Sequence, residues 1–168
     1  MQMTSIEIER KWLLHSLPDL TGFTGEKLIQ GYIAIAVDGT EVRLRQKGNK
    51  YFQTVKTEGD VIRNEFEIEL SKAQYDRLWP ATEGRRLEKI RYELQQDTFI
   101  IEIDVYKGEH AGLLVAEVEF PSTNTSDLFS PPEWFGLEVT SDKRYKNKNL
   151  ATKGLRQGPK QDNIGDYK

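Results

Sequence analysis

Apolar and polar residues alternate with a period of two along most of this chain. In Ile6-Glu7-Ile8-Glu9-Arg10-Lys11-Trp12 the alternation puts Glu7, Glu9 and Lys11 on one face of an extended strand and Ile6, Ile8 and Trp12 on the other. The same alternation, or enrichment in β-branched and aromatic residues, predicts strands over 5–12, 26–37, 40–47, 50–57, 61–70, 86–95, 98–105 and 113–120. Several links between them are short and carry turn residues, as at Asp38-Gly39, Gly48-Asn49, Glu58-Gly59-Asp60 and Gln96-Asp97, which argues for antiparallel hairpins. The expected fold is mainly β (α+β), an antiparallel up-and-down barrel or strongly curved sheet of about eight strands with a few external helices. Ser71 predicts the N-cap of one helix, with Tyr75, Leu78 and Trp79 on one face and Pro80 at its end. A second helix is expected through Asp127 and Leu128, stopping before Pro131-Pro132, and a third over 146–153. These elements form a single domain over 1–154, while the polar stretch 155–168 is expected to be a disordered tail.

The polar positions of the strands carry charge in sets spaced two apart: Arg43 and Arg45; Glu65, Glu67 and Glu69; Lys89 and Arg91; Glu102 and Asp104; Glu117 and Glu119. A single such strand is ordinarily a solvated sheet face. Here, however, some strands present cations and others only carboxylates. Were the sheet to close with these faces inward, each unpaired ion would be strongly destabilising unless another charge, water, a metal or a charged ligand met it.

The chain's 168 residues suit one domain, and its charged content of 30% against 37% hydrophobic suits a globular one. The net charge of -3 sets up no global field for nucleic acid or an anionic membrane, so neither is an expected partner. With no cysteine, disulfides and thiolate metal sites are excluded, which leaves oxygen ligands of the kind magnesium and manganese prefer. The N-terminus carries no basic segment followed by an apolar run, and no stretch approaches the roughly 18 apolar residues of a membrane span, so a soluble, cytoplasmic protein is expected. Gly-rich nucleotide signatures and a Gly-x-Ser-x-Gly elbow are absent. His15 and His110 lie in loop-like contexts and are expected at the surface.

A polyphosphate bound through a divalent cation complements both kinds of wall, since guanidinium and ammonium groups hold phosphate oxygens while carboxylates hold the bridging cation. Arg43 and Arg45 stand about 7 Å apart along a strand and can address different phosphates of one chain.

The ordered series Glu7-Ile8-Glu9-Arg10-Lys11, Gln30-Gly31-Tyr32, Arg43-Leu44-Arg45, Lys56, Glu65-Phe66-Glu67, Lys89-Ile90-Arg91, Asp104 and Glu117-Val118-Glu119 resembles the CYTH or triphosphate tunnel metalloenzyme family. That family's hallmark is an N-terminal Glu-x-Glu-x-Lys strand in a barrel lined by inward charges, so the resemblance, which covers nearly residues 5 to 150, implies an antiparallel eight-stranded, tunnel-like β-barrel. Residues 79–86 and 138–147 look like the small bacterial members that hydrolyse inorganic tripolyphosphate. The resemblance implies that Glu7, Glu9, Asp104, Glu117 and Glu119 surround one or two Mg2+ or Mn2+ ions. It implies that Arg43, Arg45, Lys56, Lys89 and Arg91 hold phosphates, joined by a basic residue near the C-terminal end of the tunnel, for which Lys143 and Lys146 both stand open. Lys11 and Tyr32 look like a catalytic pair that orients or deprotonates the attacking water, and confinement beside arginines and metal is expected to ease proton loss from Lys11.

Other readings stand beside these. Glu65 and Glu67 can serve only to neutralise arginines, Glu9 can pair with a lysine, Glu69 can face solvent, and Tyr32 can be a packed aromatic with a satisfied hydroxyl. The expected partner is a small-molecule triphosphate, and monomer and homodimer are both left open. Class IV adenylate cyclase, thiamine or nucleoside triphosphatase, and a polyphosphate-binding module without turnover are the competing functions.

Overall fold

The computed structural model describes residues 5–59 and 62–155, without the side chains of Ser5, Ile6, Glu7 and Ile62. The tail beyond residue 155 therefore lies outside the described residues. Nine strands, β1 (Ser5–Leu14), β2 (Glu26–Ile35), β3 (Glu41–Lys47), β4 (Lys50–Lys56), β5 (Ile62–Leu70), β6 (Arg86–Gln96), β7 (Phe99–Tyr106), β8 (Leu114–Glu119) and β9 (Phe135–Glu138), form one sheet in the order β5-β4-β3-β2-β6-β7-β8-β1-β9. Every pairing is antiparallel. β1 also meets β5, with Ser5 opposite Glu65 and Ile8 opposite Ile62, so the two ends of the series β1 to β8 come together around a tunnel. β1 then continues past this contact and pairs with β9 at Trp12 and Leu14.

The period-two alternation sorts the side chains into two environments. Outside the tunnel, Ile8, Trp12, Ile101, Ile103, Ala116 and Val118 pack with Phe120, Phe129 and Phe135 in the largest apolar cluster. Trp12 anchors it, with ring centroids 5.5 Å from Phe129 and 5.1 Å from Phe135. A smaller outer cluster of Leu44, Leu70 and Tyr75 lies under α1 (Lys72–Leu78), where Ser71 and Gln74 form the capping box that starts the helix. Inside the tunnel the inward positions change character along β1, β2, β6, β7 and β8. Lys11 gives way to Leu13, Lys89 to Leu87, Glu117 to Val115, Asp104 to Tyr106 and Gln30 to Tyr32, and these second members form one buried apolar cluster with Leu150 and Ala151 of α3 (Asn147–Lys153). The tunnel is thus charged in its middle and stopped at one end by an apolar layer that the C-terminal helix completes.

Several elements differ from expectation. β1 extends to Leu14 and β2 stops at Ile35, because Gly39 N–H donates to Ala36 O and Ala36 N–H to Thr40 O, which turns the chain early. After α1, Trp79–Thr82 forms a 3-10 turn that accepts Pro80 in its first residues. The short helix α2 (Thr123–Leu128) is capped by Ser122. β9 is a ninth strand beyond the eight expected; its four residues, Phe135–Glu138, alternate but are too few for the pattern to mark a strand by itself. His110, expected at the surface, is buried and meets the Tyr106 ring edge-on with centroids 6.3 Å apart, whereas His15 is exposed. No helix among the described residues is long and apolar enough to cross a membrane.

Candidate active site

A cavity of about 190 Å³ occupies the middle of the tunnel, and each of β1 to β8 contributes to its wall. Every lining residue except Gln30 and Asn147 is charged. The cations are Lys11, Arg43, Arg45, Lys56, Arg63, Lys89, Arg91 and Lys146; the anions are Glu9, Glu41, Glu65, Glu102, Glu117 and Glu119. Of the residues predicted from sequence, the structure therefore brings together Lys11, Arg43, Arg45, Lys56, Lys89, Arg91, Lys146, Glu9, Glu117 and Glu119. The Glu7 side chain lies outside the described residues.

Arg91 is the hub of the acidic side. Its guanidinium donates from Nε to Asp104 Oδ1 at 2.7 Å and from Nη2 to Asp104 Oδ2 and Glu117 Oε2, both at 2.6 Å, and Nη1 donates to Glu102. Burial works against its charge, but these three carboxylates raise its pKa well above the ordinary value. Lys89 also donates to Asp104 and lies over the Tyr106 ring. Burial and the neighbouring Arg91 lower the Lys89 pKa. Asp104, expected among the metal carboxylates, is fully buried behind the cavity wall and bonds to these two cations.

Lys11 Nζ lies 2.7 Å from Glu117 Oε1. Burial works to lower its pKa, but Glu117 and Glu9 outweigh it and raise it, so in the site without a cation the direction is opposite to the eased proton loss expected for Lys11 beside arginines and metal. Burial would raise the Glu117 carboxyl, but Lys11, Lys89 and Arg91 together hold it well below the usual range. Glu102 goes the other way, its pKa raised chiefly by burial. Glu9 faces Glu119 directly across the β1–β8 ladder, and Glu102 faces Glu117 across β7–β8. Like charges opposed on one face are destabilising, which Arg91 relieves at the second pair, while Arg63 meets Glu9 at 3.3 Å.

On the opposite side, Glu65 pairs with Lys56 at 2.7 Å, and Glu67 accepts from Arg45 at 2.9 Å and from Thr54 at 2.8 Å. This is the neutralising arrangement read as one role for Glu65 and Glu67, and Glu69 is exposed. Burial and the nearby Arg43 lower the Arg45 pKa. Arg45 Nε is buried with no acceptor among the described residues, an orphan donor that a ligand oxygen would satisfy.

Tyr32 stands behind the wall, in the apolar layer, where its hydroxyl accepts from Gln30 Nε2 at 3.1 Å. Burial, helped by Glu41, raises its pKa, so the phenol keeps its proton. Of the two roles read for Tyr32, orientation suits this position and deprotonation does not. Asn147 is held in the same way from behind, its Oδ1 accepting from the Tyr106 hydroxyl at 2.5 Å. Lys143 is exposed on the outer surface, so between the two candidates at the C-terminal end only Lys146 lines the cavity.

Reasoning from sequence passed over Arg63 and Glu41, although both share strand parity with chosen residues, Glu65 and Arg43. Nothing in the sequence marks Asn147, which reaches the cavity from the start of a helix. For a cation, the donor set offers only oxygens, and among the described residues no three acidic or histidine side chains gather into a cage. That chemistry fits a small hard cation held by one or two carboxylates and completed by phosphate oxygens and water.

A family model described as the CYTH domain matches residues 5–153. The chain is 49% identical over 150 residues to a protein named inorganic triphosphatase from Nitrosomonas europaea, an alignment that takes in 86% of this chain and 96% of the relative. It is 36% identical over 147 residues to another of that name from Acetivibrio thermocellus, covering 86% of this chain and 92% of the relative. A crystal structure of an inorganic triphosphatase, 46% identical, matches 90% of this chain and 97% of its own with a TM-score of 0.66.

Proposed function

Since this chain belongs to the CYTH domain family, we propose that its cavity hydrolyses inorganic tripolyphosphate to diphosphate and phosphate with the help of a divalent cation. The observation that carries this reading is a small chamber whose wall is made of alternating cations and carboxylates with two amides, and no apolar or aromatic group among the lining residues. Such a lining recognises phosphate oxygens and cations, and offers nothing to a nucleobase. The relatives named inorganic triphosphatase support the same substrate.

Arg43, Arg45, Lys56, Lys89, Arg91 and Lys146 would bind and orient the polyanion, with the orphaned Arg45 Nε gaining an acceptor. One or two carboxylates drawn from Glu9, Glu117 and Glu119 would hold Mg2+ or Mn2+, completed by phosphate oxygens and water. When bound, the cation would offset the charge of the phosphate chain and that of the carboxylates facing it. Lys11, kept as an ammonium by Glu117, would place positive charge beside the oxygens of the transferred phosphoryl group. Water would attack the terminal phosphorus in line; the new P–O bond forms as the bridging P–O bond breaks, and the electron pair leaves with diphosphate. The attacking water would donate hydrogen bonds to the carboxylates of the wall, one of its protons leaving on the phosphate product and the other passing to solvent. Tyr32 and Tyr106 would hold Gln30 and Asn147 from behind, and thereby fix the neutral part of the wall.

Phosphate release from tripolyphosphate, ATP and thiamine triphosphate, measured side by side with magnesium, manganese and an excess of chelator, tests this. Rapid, cation-dependent hydrolysis of tripolyphosphate and slower turnover of the two esters are expected. Full activity in chelator would remove the cation from the reaction, and cyclic AMP as the main product from ATP would assign the tunnel to a cyclase.

A further inference from the structure

We infer that Glu58, in the hairpin between β4 and β5, is a positioning residue that acts through Lys146 on the bound phosphate chain. The inference rests on the tripolyphosphate reading above. Glu58 does not line the cavity. Each of its carboxylate oxygens instead takes a different ammonium from the start of the C-terminal helix: Lys146 Nζ donates to Oε1 at 3.1 Å and Lys148 Nζ to Oε2 at 2.5 Å. Lys146 also donates to Gly59 O at 2.8 Å and Lys148 to Gly39 O at 2.7 Å. Lys148 faces a second carboxylate, Glu41 Oε2, at 3.7 Å, and Glu41 does belong to the cavity wall.

Three segments far apart in sequence thus converge on one carboxylate: the turn after β2, the turn after β4 and the entry to α3. Both lysines are buried, whereas the Glu58 side chain keeps 31% of its surface in solvent. The approach is close. Gly39 has φ +85°, and a Cβ built there would stand 2.3 Å from Glu58 Oε2, so the turn after β2 reaches this carboxylate because it carries no side chain.

A lysine ammonium is a point charge on a flexible four-carbon stem, and where it sits depends on what anchors it. For Lys146, two of those anchors are the Glu58 carboxylate and the carbonyl beside it. Lys148 pulls on the same carboxylate from the other side and fixes its orientation. The network therefore sets where Lys146, among the described residues the one cavity cation from outside the sheet, is presented, and it does so through Glu58, Gly59 and Lys148, which do not line the cavity.

Steady-state kinetics on tripolyphosphate at saturating magnesium or manganese, for wild type, Glu58→Gln, Lys146→Met and the double variant, with a melting temperature for each, tests the inference. Glu58→Gln keeps the shape and removes the charge. Its KM is expected to rise about tenfold with kcat changed by no more than about twofold, the pattern of lost binding that is equal in ground and transition states. The double variant is expected to match Lys146→Met, and Glu58→Asp, which keeps the charge, to recover part of the loss. A lowered melting temperature with unchanged KM would mean that Glu58 only stabilises the fold, and a lowered KM would mean that it withholds Lys146 from substrate. Either result, or a KM effect that adds in full to that of Lys146→Met, overturns the inference while leaving the substrate reading intact. A wild type inert toward tripolyphosphate overturns both.

Discussion

At the scale of single residues, Arg91 is the side chain on which the unliganded site depends most. It serves Asp104, Glu102 and Glu117 at once, and two of these carboxylates are buried with it. Breaking a buried ion pair by removing one partner leaves an uncompensated charge and typically destabilises by about 3–5 kcal/mol. Arg91→Met should therefore lower the melting temperature by roughly 6–20 °C, at about 2–4 °C per kcal/mol for a chain of this size. Added magnesium should recover part of that loss by supplying the missing positive charge. A variant that melts with wild type in the absence of cations would mean that the carboxylates are served by other groups. The contrast with Lys143 is instructive. Both are basic residues in matching sequence segments, but one is a buried hub and the other lies in solvent, and only the packing around them tells them apart.

Among the elements, one arginine adds side-chain bonds from the outside of β1 to both β9 and α2, beside the β1–β9 ladder. Arg10 clamps Glu138 through Nε at 2.8 Å and Nη2 at 2.7 Å, donates from Nη1 to Ser126 O at 2.7 Å, and lies over the Trp12 ring at 4.8 Å. The hydrogen bond from Arg10, joined by one from Thr140 and opposed by partial burial, lowers the Glu138 pKa. A carboxyl whose folded pKa is depressed contributes stability that is fully present above its unfolded pKa and is lost as pH falls through the folded value. With more than a third of the Glu138 side chain exposed, the contribution is at most about 1 kcal/mol. Glu138→Gln should thus melt a few degrees below wild type at neutral pH, and the gap should close as pH falls below the ordinary carboxylate range; a gap that stays constant with pH would assign the effect to packing. How much of this was legible in the sequence follows from range. Strand parity put Arg43, Arg45, Lys89, Arg91, Glu117 and Lys11 on the polar faces of their strands, because a period of two is a local property; that these faces turn inward was implied by the family resemblance. Parity could not say that Asp104 would sit behind the wall, that Tyr32 would belong to the apolar layer, or that Arg10, on the other face of the same motif, would meet Glu138. Those depend on which strands become neighbours and on what caps the tunnel.

For the molecule as a whole, the net charge of -3 misstates what a polyanion meets, because the chamber wall carries eight cations against six carboxylates among the described residues, a local excess of positive charge. Attraction of that kind is screened over about 8 Å at physiological ionic strength. The kcat/KM for tripolyphosphate should accordingly fall as sodium chloride is raised at fixed free magnesium, with the melting temperature little changed. A flat salt response would mean that the chamber's charges are too completely paired to guide the substrate. The position of β1 has a further consequence, one that concerns how the chain is made. Its ladder partners lie at opposite ends of the order of synthesis: Glu9 and Lys11 pair with Glu119 and Glu117, and Trp12 with Glu138, more than a hundred residues downstream. At about 5–20 residues per second, a ribosome leaves this strand without those neighbours for roughly 5–25 s. An exposed strand edge is a template for pairing with other nascent chains, and charged side chains are what discourage it. The glutamates and lysine that line the finished tunnel are thus the same groups that keep its first strand apart from other chains while the rest is being translated.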